Sequence, residues 1–338
     1  MVFTNLTTIV PNLRYGFHIE KKSTLEETFK AVENTPLKSY QIYVANSRSY
    51  TPANIPCLDL RVTKSYLQRR DTHPNALFIH SSLLHNIAGQ TNGEADPKFK
   101  SGFDNTLRGL IAELDIASLI GASVVVHCGS SKNTQRGEQI AGGLLAKALQ
   151  EDGVYTARYS KELQIPVEEI KKGRKILLEN SAGEGSKLGN TLEGVARIIK
   201  ESTPETTPEL SIPLTNGIGV CIDTCHMYGS GQFDFGKKSD VTRFFKETDE
   251  LLHGKLKVFH LNDSNEKFGS KKDRHACLKK GYIFGAVGDD ADKEDALLEL
   301  LLQAAARDVS LVGETASAFW DYDVVCHVCG AQGGFECC

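Results

Sequence analysis

Lys175-Ile-Leu-Leu-Glu179 is a short apolar run that stops on a carboxylate, and Gly219-Val-Cys-Ile-Asp223 repeats the arrangement one segment later. Apolar runs of this length are the mark of parallel strands buried on both faces. Six more flank them: Tyr15–Ile19, Ser39–Val44, Ala76–His80 and Ser123–His127 before, Lys257–His260 and Ser310–Glu314 after. The last six strands end on His80, His127, Glu179, Asp223, His260 and Glu314, each able to ligate a metal. A lone strand-end histidine is usually structural. Six donors in phase are not scattered by chance, and acids buried together need a compensating cation. The pattern predicts a polynuclear metal centre.

Helical patterns separate the strands. Ser23-Thr-Leu-Glu26 has the form of a capping box opening the first helix. Asn105 is placed to cap a helix with an apolar face of Leu107, Leu110, Ile111 and Leu114, stopped by Gly121. Glu138–Leu149, Thr191–Ile199, Val241–Leu252, Lys293–Ala305 and a short closing helix over Ala318–Val328 continue the series, and Thr203–Pro208 reads as a loop. Eight strands alternating with helices predict an α/β protein, a (β/α)8 TIM barrel with the metal centre at the C-terminal mouth of its strands. One domain is expected over residues 1–325, followed by a cysteine-rich tail over 326–338.

The 338 residues, 40% hydrophobic and 24% charged, have the composition of a soluble globular protein. No apolar run approaches the roughly 20 residues that span a bilayer. The N-terminus lacks a basic segment followed by an apolar one, so no secretion signal is read. The expectation is an intracellular protein of cytoplasm or nucleus, without a membrane partner and with its scattered cysteines, Cys57, Cys128, Cys221, Cys225 and Cys277, reduced. Cys326-His-Val-Cys329 has the spacing of a zinc or redox pair, but no second pair follows at finger spacing, which disfavours a structural zinc there. A net charge of −4 counts mildly against a nucleic-acid partner unless bound metal reverses it.

Three more donors flank the strand ends. His226 closes Asp223-Thr-Cys-His226, and Asp273 and His275 stand two apart, a spacing that lets both face one ion in extended chain. By itself that last segment, with Lys271, Lys272, Arg274, Lys279 and Lys280, reads as a solvated basic loop. In combination the segments are more specific. Glu179-Asn-Ser-Ala-Gly-Glu-Gly-Ser-Lys-Leu-Gly189, Val220-Cys-Ile-Asp-Thr-Cys-His226, His260-Leu-Asn-Asp-Ser264, Phe268-Gly-Ser-Lys-Lys-Asp-Arg-His275 and Leu311-Val-Gly-Glu-Thr315 resemble the motifs of endonuclease IV, in that family's order. The resemblance runs from Gly16-Phe-His18 to Glu314.

That resemblance implies three zinc ions, with manganese compatible at one site. His80 and His127 would hold the first, with Glu179 bridging it to a second held also by Asp223, His260 and Glu314; His226, Asp273 and His275 would hold the third. Three divalent ions would raise the formal charge from −4 to about +2. The implied activity is hydrolysis of the phosphodiester 5′ to an abasic site by a metal-activated water, leaving a 3′-hydroxyl and a 5′-deoxyribose phosphate, with 3′-end cleaning besides. Glu179 would position the nucleophile, so Ser181 and Cys128 have no part. The partner implied is double-stranded DNA with abasic or 3′-blocked lesions, met by a monomer.

Turning a sugar out of a duplex leaves a gap to be filled. By the same resemblance, Arg48 in Asn46-Ser-Arg48 and the pair Leu83-Leu84 would enter the DNA, and Arg274 would touch phosphate. Leu83 stands where many members carry an aromatic residue; an apolar wedge still serves. Ala182-Gly-Glu-Gly-Ser186 lacks the ending of a P-loop, so its glycines are read as turns beside the metals and no nucleotide cofactor is expected. A sugar isomerase or epimerase on the same barrel would need Glu179, Asp223, His260 and Glu314 alone; it leaves His80, His127, His226, Asp273 and His275 unexplained. A metal-stabilised DNA-binding protein that does not cut is the other alternative.

Overall fold

Two positions before each strand-end donor stands an apolar or small side chain, and the two-residue period of a strand turns both to one face. In the computed structural model, which describes residues 10–89, 97–202, 217–285 and 290–330, that face is the inside of a closed barrel. Phe78, Val125, Leu177, Cys221, Val258 and Val312 pack together as a plug in its lumen. Above the plug sit His80, His127, Glu179, Asp223, His260 and Glu314.

In chain order the strands are β1 (Tyr15–His18), β2 (Ser39–Ile42), β3 (Leu77–His80), β4 (Ser123–His127), β5 (Ile176–Glu179), β6 (Ile218–Asp223), β7 (Leu256–His260), β8 (Asp263–Ser264), β9 (His275–Ala276) and β10 (Ser310–Gly313). The barrel closes in the order β1-β10-β7-β6-β5-β4-β3-β2, while β8 and β9 form a separate antiparallel pair. Every barrel pairing is parallel. The register sets His18 beside Gln41, His127 beside Glu179 and Asp223 beside His260. The predicted TIM barrel is therefore the fold. Glu314 lies one residue past the end of β10.

The helices are α1 (Leu25–Lys30), α2 (Cys57–Arg69), α3 (Pro97–Ile120), α4 (Thr134–Gln150), α5 (Thr156–Leu163), α6 (Val167–Lys172), α7 (Leu192–Glu201), α8 (Thr224–Ser230), α9 (Lys238–Leu252), α10 (Asp290–Ala306) and α11 (Ala318–Val328). The first capping box is one residue later than expected. Thr24 Oγ1 accepts from the Glu27 amide at 3.1 Å, and Glu27 Oε2 accepts from the Thr24 amide at 3.3 Å. Asn105 caps nothing, because α3 already starts at Pro97, where a proline suits the first helical position. The stop at Gly121 is as expected: its φ is +82°, and the Ala122 amide returns to the Ala117 carbonyl at 2.8 Å. Asn133 and Thr191 cap α4 and α7 through their side chains. Helices α2, α5, α6 and α8 have no counterpart in the sequence reading.

Between strands and helices lies the larger core, with Leu110, Leu114, Leu144, Ile198, Phe244 and Leu300 fully buried. Burying each such side chain contributes about 1.5–3 kcal/mol. The loop over Thr203–Pro208 and the residues Cys337-Cys338 lie outside the described residues. Cys326 is buried in α11 and Cys329 caps it.

Candidate metal centre

His80, His226 and His260 each have one nitrogen committed to a fixed partner and the other turned toward carboxylates. His80 Nδ1 is 2.7 Å from the Ser81 carbonyl, a contact that calls for the proton on Nδ1, and its Nε2 faces Glu179 Oε2 at 3.4 Å. His226 Nδ1 meets the Asn180 carbonyl at 3.0 Å, leaving Nε2 3.0 Å from Asp273 Oδ2. His260 is reversed: Nε2 lies 2.9 Å from Gln41 Oε1, so Nδ1 is the nitrogen that faces Glu179 Oε1 at 3.1 Å and Glu314 Oε2 at 3.2 Å. A ligating histidine needs this arrangement, because the partner of one nitrogen fixes the lone pair of the other.

Glu179 is at the centre, its two oxygens divided between two sets of donors. Oε2 faces His80 Nε2 at 3.4 Å and His127 Nε2 at 3.2 Å; Oε1 faces the Nδ1 atoms of His260 and His226 at 3.1 and 3.4 Å. Asp223 caps α8, accepting the His226 amide on Oδ1 at 2.8 Å, and its Oδ2 is 3.4 Å from His275 Nε2. His275 and Asp273 reach the site from the segment leading into β9, where the Asn265 amide donates to the Arg274 carbonyl at 2.8 Å. Asp273 Oδ1 lies 3.2 Å from His275 Nε2. All nine predicted donors thus converge. Donor atoms within 4.8 Å of one another include His80–His127–Glu179, Glu179–Asp223–His260–Glu314 and Asp223–His226–His275.

The donor chemistry fits divalent cations. Glu179 Oε2, His226 Nε2 and His275 Nε2 are buried without a hydrogen bond. Their spacings of 3.0–3.4 Å match the roughly 3.3 Å edge of a tetrahedron whose metal–ligand arms are about 2.0–2.1 Å. The electrostatics agree. Burial opposes protonation of His226, yet Asp223, Asp273 and Glu179 push it up to about 10. Burial likewise opposes protonation of His260, but Cys221, Glu314 and Glu179 hold it well above the usual histidine range. Against burial, His127 and His260 hold Glu179 well below the usual carboxylate range. The carboxylates demand positive charge, and a divalent cation would supply it while leaving the imidazoles neutral.

Several supporting residues were not anticipated. Gln41 donates to Glu314 Oε1 at 2.6 Å, lies 3.1 Å from His18 Nδ1 and accepts from His260. Asn262 donates to Asp223 Oδ2 at 2.7 Å and accepts the Glu314 amide at 3.0 Å; Asn180 accepts the Asp223 amide at 2.7 Å. Gln41 and His18 occupy on β2 and β1 the inward places that the six donors occupy on the other strands, a signal visible in the alternation. Asp263 beside Asn262 is no ligand: backbone amides of Ser264, Gly281, Ile283 and Phe284 saturate it. Ser181 Oγ donates to the Leu188 carbonyl and Cys128 Sγ to that of Glu179, which turns both toward backbone. In the glycine-rich loop Gly183 and Gly185 adopt φ of +82° and +59°.

The centre opens into a cavity of about 370 Å³ that includes His18, Tyr43, Leu83 and Thr315 in its wall. A second, of about 290 Å³, shares Leu83, His127 and His226 with it and adds Tyr50, Leu84 and Lys187. Leu83 and Leu84 are 45% and 38% exposed. The Leu83 amide donates to the Ser47 carbonyl at 2.8 Å, and Ser82 Oγ lies 3.1 and 2.8 Å from the carbonyls of Ser47 and Ser49. The loop of Arg48 and the loop of the leucines are thereby one unit. Arg48 is exposed and lines neither cavity. Arg274 is exposed, 3.7 Å from Glu184 Oε1.

A family model described as xylose isomerase-like TIM barrel matches residues 29–295. "Probable endonuclease 4" of Chloroflexus aurantiacus is 30% identical over 271 residues, 80% of this chain and 83% of that one. The protein of the same name from Thermosipho africanus is 29% identical over 273 residues, 80% and 84% of the two chains. Among solved structures, endonuclease IV from Thermus thermophilus superposes with a TM-score of 0.66 at 24% identity, covering 93% of this chain and 98% of that one. A D-tagatose 3-epimerase-like protein superposes with a TM-score of 0.59 at 13% identity, covering 94% and 97%. Among the described residues, no helix is long and apolar enough to cross a membrane.

Proposed function

The chain belongs to the endonuclease IV family of xylose isomerase-like TIM barrels, and on that footing we propose that it is a metal-dependent endonuclease that hydrolyses DNA on the 5′ side of abasic sites. The products are a 3′-hydroxyl and a 5′-deoxyribose phosphate, and the same site removes blocking groups from 3′ ends. The observation that carries the reading is the convergence of nine donors, including the set His226, Asp273 and His275, which a sugar site has no evident need for.

In this reading His80, His127 and Glu179 would hold the first ion. Glu179, Asp223, His260 and Glu314 would hold the second, and His226, Asp273 and His275 the third. Zinc suits the mixture of imidazole and carboxylate, and manganese is compatible at one site. Divalent cations there supply Lewis-acid chemistry, activating water near neutral pH and neutralising charge as the phosphodiester breaks. The chain's own residues do the rest. Glu179 spaces the two donor sets, and Gln41, Asn180 and Asn262 fix the ligand orientations. Leu83 and Leu84 exclude water from the opened lesion, Arg48 occupies the adjoining loop, and Arg274 offers a charge to phosphate. No side-chain nucleophile is required.

The test is an incision assay on a duplex with one abasic-site analogue, using chelated and zinc-restored protein, alongside elemental analysis. About three ions per chain and metal-dependent cleavage are expected. Asp273→Ala and His275→Ala should abolish incision while the fold and the remaining metal persist. Unchanged incision in both variants overturns the role given to the third ion; a metal-loaded parent that leaves the duplex intact overturns the nuclease reading, and sugar epimerisation should then be assayed.

A further inference from the structure

Lys187 stands in the glycine-rich loop after β5, where the chain is held on both sides. It forms an isolated antiparallel bridge with Ser130, the Leu188 amide donates to the Gly129 carbonyl at 2.9 Å, and the Ser131 amide donates to the Ser186 carbonyl at 2.9 Å. Its ammonium is 3.3 Å from Glu184 Oε2 and 3.9 Å from Asp273 Oδ2, and its side chain lines the second cavity with His127 and His226. Glu184 is in demand elsewhere: its Oε1 accepts the Asp273 amide at 3.2 Å and faces the Arg274 guanidinium at 3.7 Å.

A lysine beside a cluster of cations is repelled by them, so its place there calls for an anion. Once Asp273 is committed to a metal, Lys187 retains Glu184 as its carboxylate partner among the described residues, and Glu184 is shared with Arg274. Two cations on one carboxylate leave net positive charge, and Lys187 carries its share into the wall of the second cavity. An ammonium on a long stem is a point charge able to follow an oxygen over several directions. The anion that a nucleic-acid substrate brings is phosphate. Resting on the nuclease reading above, we propose that Lys187 is a phosphate-contact residue, its ammonium binding a non-bridging oxygen of the DNA backbone beside the His226–Asp273–His275 group. Arg274, exposed at the outer rim, serves a neighbouring phosphate.

The experiment measures the affinity of the metal-loaded full chain for a duplex bearing a non-cleavable abasic analogue, from about 50 to about 200 mM salt. Loss of one phosphate contact lowers the slope of log affinity against log salt by roughly 0.9, so Lys187→Met should lose about 3.5-fold less affinity across that range than the parent. Lys187→Arg should restore the parent slope, and elemental analysis should find the same metal content in all three. An unchanged slope in Lys187→Met overturns the inference. A lower slope accompanied by loss of metal also overturns it, because Lys187 would then act by holding Asp273. If the parent neither binds nor cuts the lesion, the nuclease reading itself fails and the inference falls with it; a parent that does both, beside a variant of unchanged slope, refutes the inference alone.

Discussion

Gln41→Leu keeps a side chain of similar volume and removes both ends of an amide that joins three groups of the centre. Oε1 accepts from His260 Nε2, which is fully buried, while Nε2 donates to Glu314 and contacts His18. Without that acceptor, a neutral His260 is free to carry its proton on Nδ1, the nitrogen that faces Glu179 and Glu314. Its lone pair is then lost to a metal. Removing such an outer partner of a ligand costs about 10–100-fold in metal affinity, roughly 1.4–2.7 kcal/mol. The buried N–H left without an acceptor costs a further ~1–3 kcal/mol in unfolding free energy. The assay is competition with a chelator for the bound metal, followed by denaturant unfolding in excess zinc. Gln41→Glu separates the causes, because it keeps an acceptor for His260 while removing the donor to Glu314. The tautomer argument predicts weaker metal binding in Gln41→Leu than in Gln41→Glu. A folded Gln41→Leu protein that holds metal within about twofold of the parent refutes it.

Glu179→Gln should keep the fold and DNA binding but lose cleavage by more than about 100-fold, since an amide NH2 would face a cation; near-normal turnover would show that Glu179 does not bridge. Arg48→Ala and Leu84→Ala should weaken binding to a lesion-bearing duplex more than they slow cleavage of a single strand, and equal losses on both substrates would place these residues elsewhere in the mechanism. Behind the Leu83-Leu84 loop, burial pushes the Glu113 carboxyl up to about 7 and the neighbouring His85 down to about 4. Glu113 therefore contributes stability that is present at low pH and lost as pH rises toward 7, while His85 costs stability as pH falls from about 6.5 to 4. The two largely offset each other. Glu113→Gln removes one of them, so its stability relative to the parent should fall, by on the order of 3 kcal/mol, as pH is lowered from about 7 to about 4.5; a difference that does not vary with pH would show that Glu113 ionises normally.

What could be read from the chain was whatever repeats with strand period. Phe78 and His80, Leu177 and Glu179, and Val258 and His260 are inward pairs two apart, so both the barrel and the ring of donors are written in local alternation. Asp273 and His275 were ambiguous on those terms, since a basic loop of the same composition stays in solvent; the docking of that loop on α8, through the Lys271 amide and the Gly229 carbonyl at 2.8 Å, brings them to the other donors. Gln41 was missed because an uncharged amide is not conspicuous, although its register opposite His18 marks it. Asn105 misled for another reason. A good capping residue caps nothing inside a helix that already starts at Pro97.

Because the amide of Leu83 and the hydroxyl of Ser82 both reach the backbone of the preceding loop at Ser47 and Ser49, the seam between those loops is a poor breakpoint for recombination. A chimera that takes the segment after β3 from one relative and the segment after β2 from another would break the shared backbone frame and set the leucines at a different height above the barrel. The two loops form one cassette. Loop exchange between relatives requires transplanting residues 43–50 and 81–89 together, with the barrel strands left as the common chassis.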